Sequence, residues 1–450
     1  MRTVFALCLA ALTGIAIASD ARADALKDAI TADTPRLTAL YRALHAAPEL
    51  SFMEVQTSRR LVRELDGLGF TVTPGVGGTG VVAVMRNGPG PVLLIRTDMD
   101  ALPVKEATGL PYASAVIGRT IEGVSQPVMH ACGHDIHMSS WIGTARQLSA
   151  ARARWSGTLV MIAQPAEELV GGARGMLADG LYTRFPHPTH ALAFHDDAGL
   201  PAGKIGWTAG YVMANVDSVE LTVRGVSGHG AAPHLTKDPV LLAARIIDGL
   251  QPLISRETDP QGAAVVTVGS IHGGTAPNLT PDEVKLQITL RSYGDAERRR
   301  LIDGVRRVAA GEATVMGLPA DRMPIVTVPD AGANATLNTP AFARRIAALF
   351  VARFGEGRVV EQAPKMVSED FSEYGRADPR IQSLMFMVGA TPQSVWDAAG
   401  GDVTRVPGLH SSKFVPDAAP TIATAVEAMS VAAMDVLARG QTTLPGPGRP

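Results

Sequence analysis

Hydrophobic residues along most of the chain follow two alternating patterns. Short continuous apolar runs at 91–97, 157–163, 191–194 and 383–388 predict strands that are covered on both faces. Helical spacing lies between such runs, and residues 26–70 are predicted to be helical, with an amphipathic stretch at 57–68. Apolar strands that alternate with helices indicate the α/β class, with a mostly parallel sheet covered by helices.

Residues 213–325 follow a different pattern. Strand-like segments at 216–224, 263–271, 283–292 and 323–328 combine with helical segments at 238–254 and 295–310. Their order, β-α-β-β-α-β, is typical of a ferredoxin-like α+β sandwich. We therefore predict that 213–325 is a domain inserted into a larger domain made of 24–212 and 326–438.

The two ends of the chain have compositions of their own. Arg2, an apolar stretch at 4–18 and Ala21-Arg22-Ala23 together predict a signal peptide at 1–23, and therefore a periplasmic or secreted protein. The alternative is an uncleaved membrane anchor. The Pro/Gly-rich end, 439–450, predicts a disordered tail.

Length and charge narrow the class of protein. A chain of 450 residues suits two or three domains. With 46% hydrophobic residues, 19% charged residues and a formal net charge of −2, it has no electrostatic basis for binding nucleic acid or an anionic membrane. We therefore expect no nucleic-acid partner, and no membrane partner once the signal is removed.

Cys132 is the only cysteine outside the predicted signal peptide, since the other is Cys8. An unpaired cysteine beside His134 indicates a metal-bound thiolate, and the alternative is a buried inert thiol. In an extended segment the side chains of Cys132 and His134 point the same way, so both can reach one ion. A helix that begins at Asp135 would stabilise the thiolate.

Polar side chains follow three of the predicted strands. Asp100 comes after the first, Glu167 and Glu168 after the second, and His195 after the third. Because ligand sites form beyond the carboxyl ends of parallel strands, these side chains are expected to meet. One glutamate can bind a metal while its neighbour acts as a general base. The alternatives are a solvated pair of glutamates and a hydrogen-bonded core histidine.

Four further residues are candidates for which the sequence pattern is weaker evidence. His410 can add a ligand from the second half of the larger domain, and His229, in a Gly-rich segment, can donate to a developing oxyanion. Asn278 and Arg291 can bind a substrate carboxylate. The signal of His410 is weak by itself, and the alternative for His229, Asn278 and Arg291 is an ordinary surface polar residue.

Six motifs in the same order resemble those of dinuclear-metal aminoacylase and carboxypeptidase-type peptidases. The resemblance covers nearly all of 35–435. Within the family it points to the branch of hippurate hydrolases, N-acyl-amino-acid amidohydrolases and indoleacetyl-amino-acid hydrolases. The motifs are Asp98-Met-Asp-Ala-Leu-Pro103, Met129-His-Ala-Cys-Gly-His-Asp135, Gln164-Pro-Ala-Glu-Glu168, Gly228-His-Gly-Ala-Ala-Pro-His234, Gly273-Gly-Thr-Ala-Pro-Asn278 and Ser368-Glu-Asp-Phe371.

The resemblance implies a site for two divalent ions. Cys132 would bridge the ions, in a place that other branches give to aspartate. His134 and His195 would complete one ion's protein ligands, and Glu168 and His410 the other's. Zinc suits thiolate, imidazole and carboxylate ligands, with manganese, cobalt or nickel as alternatives.

The resemblance also implies the remaining roles. Glu167 would be the general base, and Asp100 would orient the ligands. His229 would polarise the scissile carbonyl, from the inserted domain of the partner in a homodimer. Asn278 and Arg291 would hold the substrate's α-carboxylate.

These implications amount to an exported metal-dependent amidohydrolase that cleaves N-acyl amino acids or short peptides. Two alternatives remain open: a dipeptidase or carboxypeptidase of the same fold, and a metal-dependent binding protein without turnover. The presence of Glu167 beside Glu168 favours catalysis over mere binding. The motifs do not specify the acyl group or the amino acid.

Overall fold

The computed structural model describes residues 25–329 and 332–439, which divide into two compact units. The first unit comprises the described residues up to Gly210, Asn338–Gln362, and those from Glu373 onward. The second comprises Tyr211–Leu337 and Ala363–Ser372. The predicted signal peptide and nearly all of the predicted tail lie outside the described residues. The predicted insertion, 213–325, lies within the second unit, and its bounds as a domain stay a prediction.

The strands share the extended geometry and are numbered along the chain. They are β1 (Thr71–Val76), β2 (Gly80–Asn87), β3 (Val92–Asp98), β4 (Ile117–Arg119), β5 (Ser125–Pro127), β6 (Gly157–Gln164), β7 (His190–Pro201), β8 (Ile205–Trp207), β9 (Gly210–Met213), β10 (Asn215–Arg224), β11 (Gly228–His229), β12 (Ala264–Gly273), β13 (Leu279–Thr280), β14 (Glu283–Ser292), β15 (Ile325–Thr327), β16 (Thr336–Asn338), β17 (Val359–Glu361) and β18 (Gln382–Thr391).

The α-helices are numbered in the same way. They are α1 (25–45), α2 (Val55–Glu64), α3 (His134–Ala150), α4 (Gly172–Ala178), α5 (Leu181–Arg184), α6 (Pro239–Ser255), α7 (Asp295–Val315), α8 (Pro340–Phe354), α9 (Ser372–Ala377), α10 (Gln393–Ala398) and α11 (Ala418–Val436). The described residues include no helix long and apolar enough to cross a membrane.

The first unit is built on an eight-stranded sheet with the order β1-β2-β6-β3-β7-β18-β8-β17. Its centre, from β6 through β3 and β7 to β18, is parallel, while β1, β2 and the contact of β18 with β8 are antiparallel. Strands β6 and β18 are buried almost throughout because helices flank the sheet. The core includes Trp155, Trp141 of α3, and Phe386 of β18. The predicted α/β class with a mostly parallel sheet is confirmed.

The second unit contains the predicted β-α-β-β-α-β order as β10-α6-β12-β14-α7-β15. Its four strands form an antiparallel sheet in the order β12-β14-β10-β15. Along β10, buried positions alternate with accessible ones, because only one face of this strand is covered. The covered face packs against α6 and α7. Leu221 of β10 lies in one core with Ile246 of α6 and Leu301 of α7. The ferredoxin-like α+β arrangement is thereby confirmed.

The prediction of a helical region from 26 to 70 was wrong in its middle. Helix α1 ends at residue 45, and α2 does not begin until Val55. Pro48 lacks a backbone N–H, and Phe52 adopts a left-handed conformation with φ 63°, so neither fits a continuous helix. The intervening segment instead runs beside residues 100 and 101, with Leu50 bridged to Ala101.

A buried ion-pair cluster ties the end of α1 to the start of α3. His45 Nδ1 donates to Asp135 at 2.7 Å and Nε2 donates to Glu106 at 3.1 Å. All three side chains are 1% exposed. Burial alone would lower the pKa of His45, but the hydrogen bonds and charges of Asp135 and Glu106 outweigh it and raise the pKa to about 9.

This cluster predicts a pH-dependent stability. Because the folded pKa of His45 lies above the unfolded value, its contribution is fully present below pH ~6.5 and is lost as the pH rises through ~9. The pKa difference corresponds to about 3 kcal/mol. In urea unfolding of chelated protein, wild type should lose about 3 kcal/mol more than His45→Gln between pH 6 and pH 10. Equal pH dependence of the two proteins would contradict the assignment.

Candidate metal centre

Three neighbouring parallel strands deliver polar side chains to one edge of the first unit's sheet. Strand β3 ends at Asp98, and β6 ends at Gln164, two residues before the loop residues 166–170. Strand β7 carries His195 and continues past it to Pro201, so the prediction that this strand ends at the histidine was wrong. Since β6, β3 and β7 are adjacent, their carboxyl ends meet as expected.

Cys132 lies at the centre of the donor cluster. Its Sγ is 3.6 Å from His195 Nε2 and 3.3 Å from His410 Nε2. Glu168 Oε2 is 3.5 Å from His410 Nε2, and Glu168 Oε1 is 3.9 Å from His134 Nε2. Two triads with donor atoms within 4.8 Å of one another, Cys132/His134/His195 and Cys132/Glu168/His410, therefore share the sulfur. These are the two sets that the resemblance implied, although their role as ligands stays a prediction.

The expected extended backbone between Cys132 and His134 was wrong. Cys132 lies in a turn, Gly133 has φ 76°, and α3 begins directly at His134. A Cβ on Gly133 would lie 2.3 Å from Asp196 Oδ2, so a residue with a side chain does not fit there. The two side chains converge because a left-handed glycine reverses the chain between them.

Hydrogen bonds to the backbone fix which nitrogen of each histidine faces the sulfur. His134 Nδ1 donates to the Asp100 carbonyl at 2.8 Å, and His195 Nδ1 donates to the Asp196 carbonyl at 2.7 Å. In a neutral ring this leaves Nε2 as the acceptor. Burial disfavours the charged form of His134, but Asp98, Asp100 and Glu168 outweigh it and raise its pKa well above the ordinary value, so a metal ion at Nε2 would displace a proton. Among the described residues, His134 Nε2 and Glu168 Oε1 are buried without a hydrogen-bond partner. Such orphaned acceptors are typical of a cation site.

The electrostatics of the cluster also favour a bound cation. Burial, followed by the charges of Glu168 and Glu167, raises the pKa of the Cys132 thiol well above its ordinary value. The helix N-terminus therefore does not by itself favour a thiolate here. Burial, only partly offset by His134, raises the pKa of Glu168 to about 7. A divalent cation would stabilise both anions at once.

Asp100, predicted to orient the ligands, contacts two of them and the predicted base. Its carboxylate accepts the N–H of Glu167 at 3.1 Å and of Glu168 at 3.0 Å. Ser51 Oγ donates to the same carboxylate at 2.6 Å. Its carbonyl receives the His134 bond described above, so Asp100 joins the strand end to both the loop and the helix.

Sequence reasoning missed a buried chain of charges behind the donors. His137 Nδ1 donates to Asp98 at 2.7 Å, and His137 Nε2 lies 3.1 Å from Asp196 Oδ1. Arg96 donates to Asp98 at 2.6 Å. His137 stands three residues after His134, on the same face of α3, and that spacing was the available signal.

The other predicted residues belong to the second unit. His229 lies on β11, and its Nδ1 accepts the N–H of Ala231 at 3.0 Å, which leaves Nε2 as the proton donor. Asn278 is exposed and its carbonyl accepts the N–H of Gly230 at 2.8 Å. Arg291, on β14, donates to Ser368 Oγ at 2.7 Å. Their predicted roles toward a substrate stay predictions.

The fold and the donor cluster define a class of α/β protein with thiol, imidazole and carboxylate donors at the carboxyl edge of a mostly parallel sheet. Comparison with known families shows a match of residues 94–398 to Peptidase family M20/M25/M40. The chain belongs to this family. The predicted enzyme class, a hydrolase of amide or peptide bonds, is thereby confirmed.

Relatives and solved structures agree with this assignment. The chain is 37% identical over 366 residues to the N-acetylcysteine deacetylase of Bacillus subtilis, covering 80% of this chain and 90% of that one. It is 34% identical over 333 residues to the hippurate hydrolase of Campylobacter jejuni, covering 73% and 82%. A Bacillus subtilis crystal structure, described as a dinuclear metal binding peptidase of the M20 family, matches with TM-score 0.72 and 31% identity, over 90% of this chain and 99% of that one.

Proposed function

We propose that this protein is an exported amidohydrolase that cleaves the amide bond of N-acyl amino acids or short peptides with two divalent ions. The observation that carries the proposal is the convergence of Cys132, His134, His195, Glu168 and His410 from distant parts of the chain onto two triads that share one sulfur. The relatives named above, a deacetylase of N-acetylcysteine and a hydrolase of hippurate, support an N-acyl amino acid as the substrate class.

The donor set fits two divalent ions. His134 Nε2 and Glu168 Oε1 are buried acceptors without hydrogen-bond partners, and the Cys132 thiol is surrounded by acids. Thiolate, imidazole and carboxylate together suit zinc, with manganese, cobalt or nickel as alternatives. When bound, the ions would polarise the scissile carbonyl and lower the pKa of the attacking water.

Glu167 would be the residue that moves protons in the reaction. Its carboxylate is largely buried, and Oε2 lies 3.9 Å from His134 Nε2. Glu167 could join His134 and Glu168 around an ion, but it belongs to neither triad that shares Cys132. Glu167 would accept a proton from the water whose oxygen bonds to the carbonyl carbon. As the amide C–N bond breaks, the same carboxyl group would return the proton to the leaving nitrogen.

The second unit would supply the remaining contacts with substrate. His229 would donate a hydrogen bond from Nε2 to the carbonyl oxygen as negative charge develops there. Asn278 and Arg291 would bind the α-carboxylate of the amino acid. We also propose a homodimer, in which His229 acts on the site of the partner, and a periplasmic or secreted location; the first rests on the resemblance and the second on the signal-like pattern of 1–23.

Removal of the metal should abolish the activity reversibly. Dialysis against a chelator should reduce hydrolysis of N-acyl amino acids to background, and Zn²⁺ or Mn²⁺ added back should restore it. The chelated protein should also unfold at a lower temperature, because a ligand at ~1,000 times its Kd stabilises by about 4 kcal/mol. Elemental analysis should find two ions per chain in the active protein.

The same assay distinguishes the alternatives. A panel of N-acyl amino acids, dipeptides and longer peptides separates an amidohydrolase from a dipeptidase or carboxypeptidase by relative kcat/KM. A protein that binds two ions and retains substrates without turning any over would be a binding protein, and the proposed function would be rejected.

A further inference from the structure

A buried carboxylate far from the donors in sequence, Glu54, holds the loop that carries Glu167. We propose that Glu54 is a positioning residue for Glu167: it holds the left-handed conformation of Ala166, the first of the loop residues 166–170, and thereby sets the direction of the base. This inference rests on the proposed function, since it concerns the same reaction.

Glu54 is fully buried, and its two oxygens have separate partners. Oε1 accepts the backbone N–H of Phe52 at 2.9 Å and of Ala166 at 2.8 Å. Oε2 accepts the hydroxyl of Thr79 at 2.5 Å. A single carboxylate oxygen therefore joins the segment before α2 to the residue that precedes the catalytic glutamate.

Both backbone donors have conformations that side-chain-bearing residues rarely adopt. Phe52 has φ 63° and Ala166 has φ 48°, and Val170, at the end of the loop, has φ 54°. Such residues persist where the surroundings hold them, and they are concentrated at functional sites. The Glu54 oxygen accepts the N–H groups of two of these residues, Phe52 and Ala166.

A second carboxylate completes the support of the loop. The N–H groups of Glu167 and Glu168 donate to Asp100, so three successive N–H groups from Ala166 onward end on two buried carboxylates. The loop is closed by the N–H of Gly172, which donates to the Ala166 carbonyl at 3.1 Å. The Glu54 bond is the member of this set that holds the N–H of Ala166.

Loss of the Glu54 contact would release Ala166 from its left-handed conformation. Rotation about that residue would displace Glu167, the next residue along the chain. A displacement of about 1 Å in a catalytic group can lower the rate about 100-fold. Binding of substrate by other residues would be affected far less, so the effect belongs in kcat.

Two conservative variants distinguish the effect of the length of the Glu54 side chain from the effect of its charge. Glu54→Asp keeps the charge but is shorter by one methylene and cannot reach both N–H groups. Glu54→Gln keeps the length and one acceptor oxygen, and its amide can donate to Thr79 Oγ1. Burial and the charge of Asp100 raise the pKa of Glu54 to about 7, so a neutral side chain at this position is not foreign to the site.

The test compares steady-state kinetics of the two variants on one N-acyl amino acid at saturating metal. Glu54→Asp should lower kcat about 100-fold, with KM within about threefold of wild type and two ions still bound. Glu54→Gln should retain kcat within about fivefold. A wild-type kcat in Glu54→Asp, or an equal loss in both variants, would overturn the inference. If Glu54→Asp does not fold, a large loss of kcat in folded Glu54→Gln would by itself overturn the inference.

Glu49→Asp is the matched control. The Glu49 carboxylate accepts the N–H of Gln56 at 3.2 Å and of Thr57 at 2.8 Å at the start of α2, in the same segment of chain. Shortening it should lower the midpoint of unfolding and leave kcat unchanged, so a general weakening of this segment is distinguished from misplacement of Glu167. Absence of turnover in the wild type would remove the proposed function, and this inference with it.

Discussion

Glu167→Gln should lower kcat for hydrolysis of an N-acyl amino acid by about 10²–10⁴-fold. The substitution keeps the size of the side chain and the N–H bond to Asp100, but an amide cannot take the proton from water. KM should change little, because Glu167 acts on the proton in transit and not on the bound substrate. The measurement is the rate of release of the free amino acid under saturating substrate and metal.

Metal content separates this role from that of the neighbouring glutamate. Glu167→Gln should keep two ions per chain, whereas Glu168→Gln should lose one, because Glu168 Oε2 faces His410 and Oε1 is a buried acceptor without a partner. The exposed Glu122 gives a control substitution to glutamine that should leave kcat at the wild-type value. If Glu167→Gln retained wild-type turnover, the base would have to be sought elsewhere.

Cys132→Ala should reduce both metal content and activity to background. The sulfur is the one donor that belongs to both triads, so its removal should weaken metal binding at both of them. Elemental analysis after dialysis against a fixed metal concentration, together with the hydrolysis assay, measures the two losses.

Stability provides a second measurement of the same substitution. Addition of metal should stabilise wild type by about 4 kcal/mol at ~1,000 times Kd and should stabilise Cys132→Ala much less. In chelated protein the two should unfold at similar midpoints, because the thiol is then a small buried group among acids. Cys132→Asp is the conservative control, since other branches of the family have aspartate in this place, and it should recover part of the metal content. Two ions and full activity in Cys132→Ala would exclude the sulfur as a bridging ligand.

Much of the framework was predictable because its signals are local. Apolar runs marked the central strands of the first unit, and the second unit has the predicted order of strands and helices. The acids and histidines that follow those runs were expected to meet, because carboxyl ends of neighbouring parallel strands share an edge. Cys132, Glu168 and His195 do lie together there.

Two of the errors came from single backbone conformations. The alternation rule placed Cys132 and His134 on one side of an extended segment, but Gly133 is left-handed and a helix starts at once. The helical pattern across 26–70 did not register Phe52, whose φ is also positive. A local pattern gives the average preference of a segment and does not report one residue that its surroundings hold in an uncommon conformation.

The sequence alone indicated the family and the class of chemistry and predicted the donor side chains, because residue types and their spacing along strands and helices carry that information. The folded chain added the partners that make those donors competent: His137 between Asp98 and Asp196, the Asp100 carbonyl behind His134, and Glu54 under the loop of Glu167. These contacts join residues separated by 34 to 112 positions. No local preference encodes such pairs; they form because burial in a common core leaves each polar group only the partners that the fold brings to it.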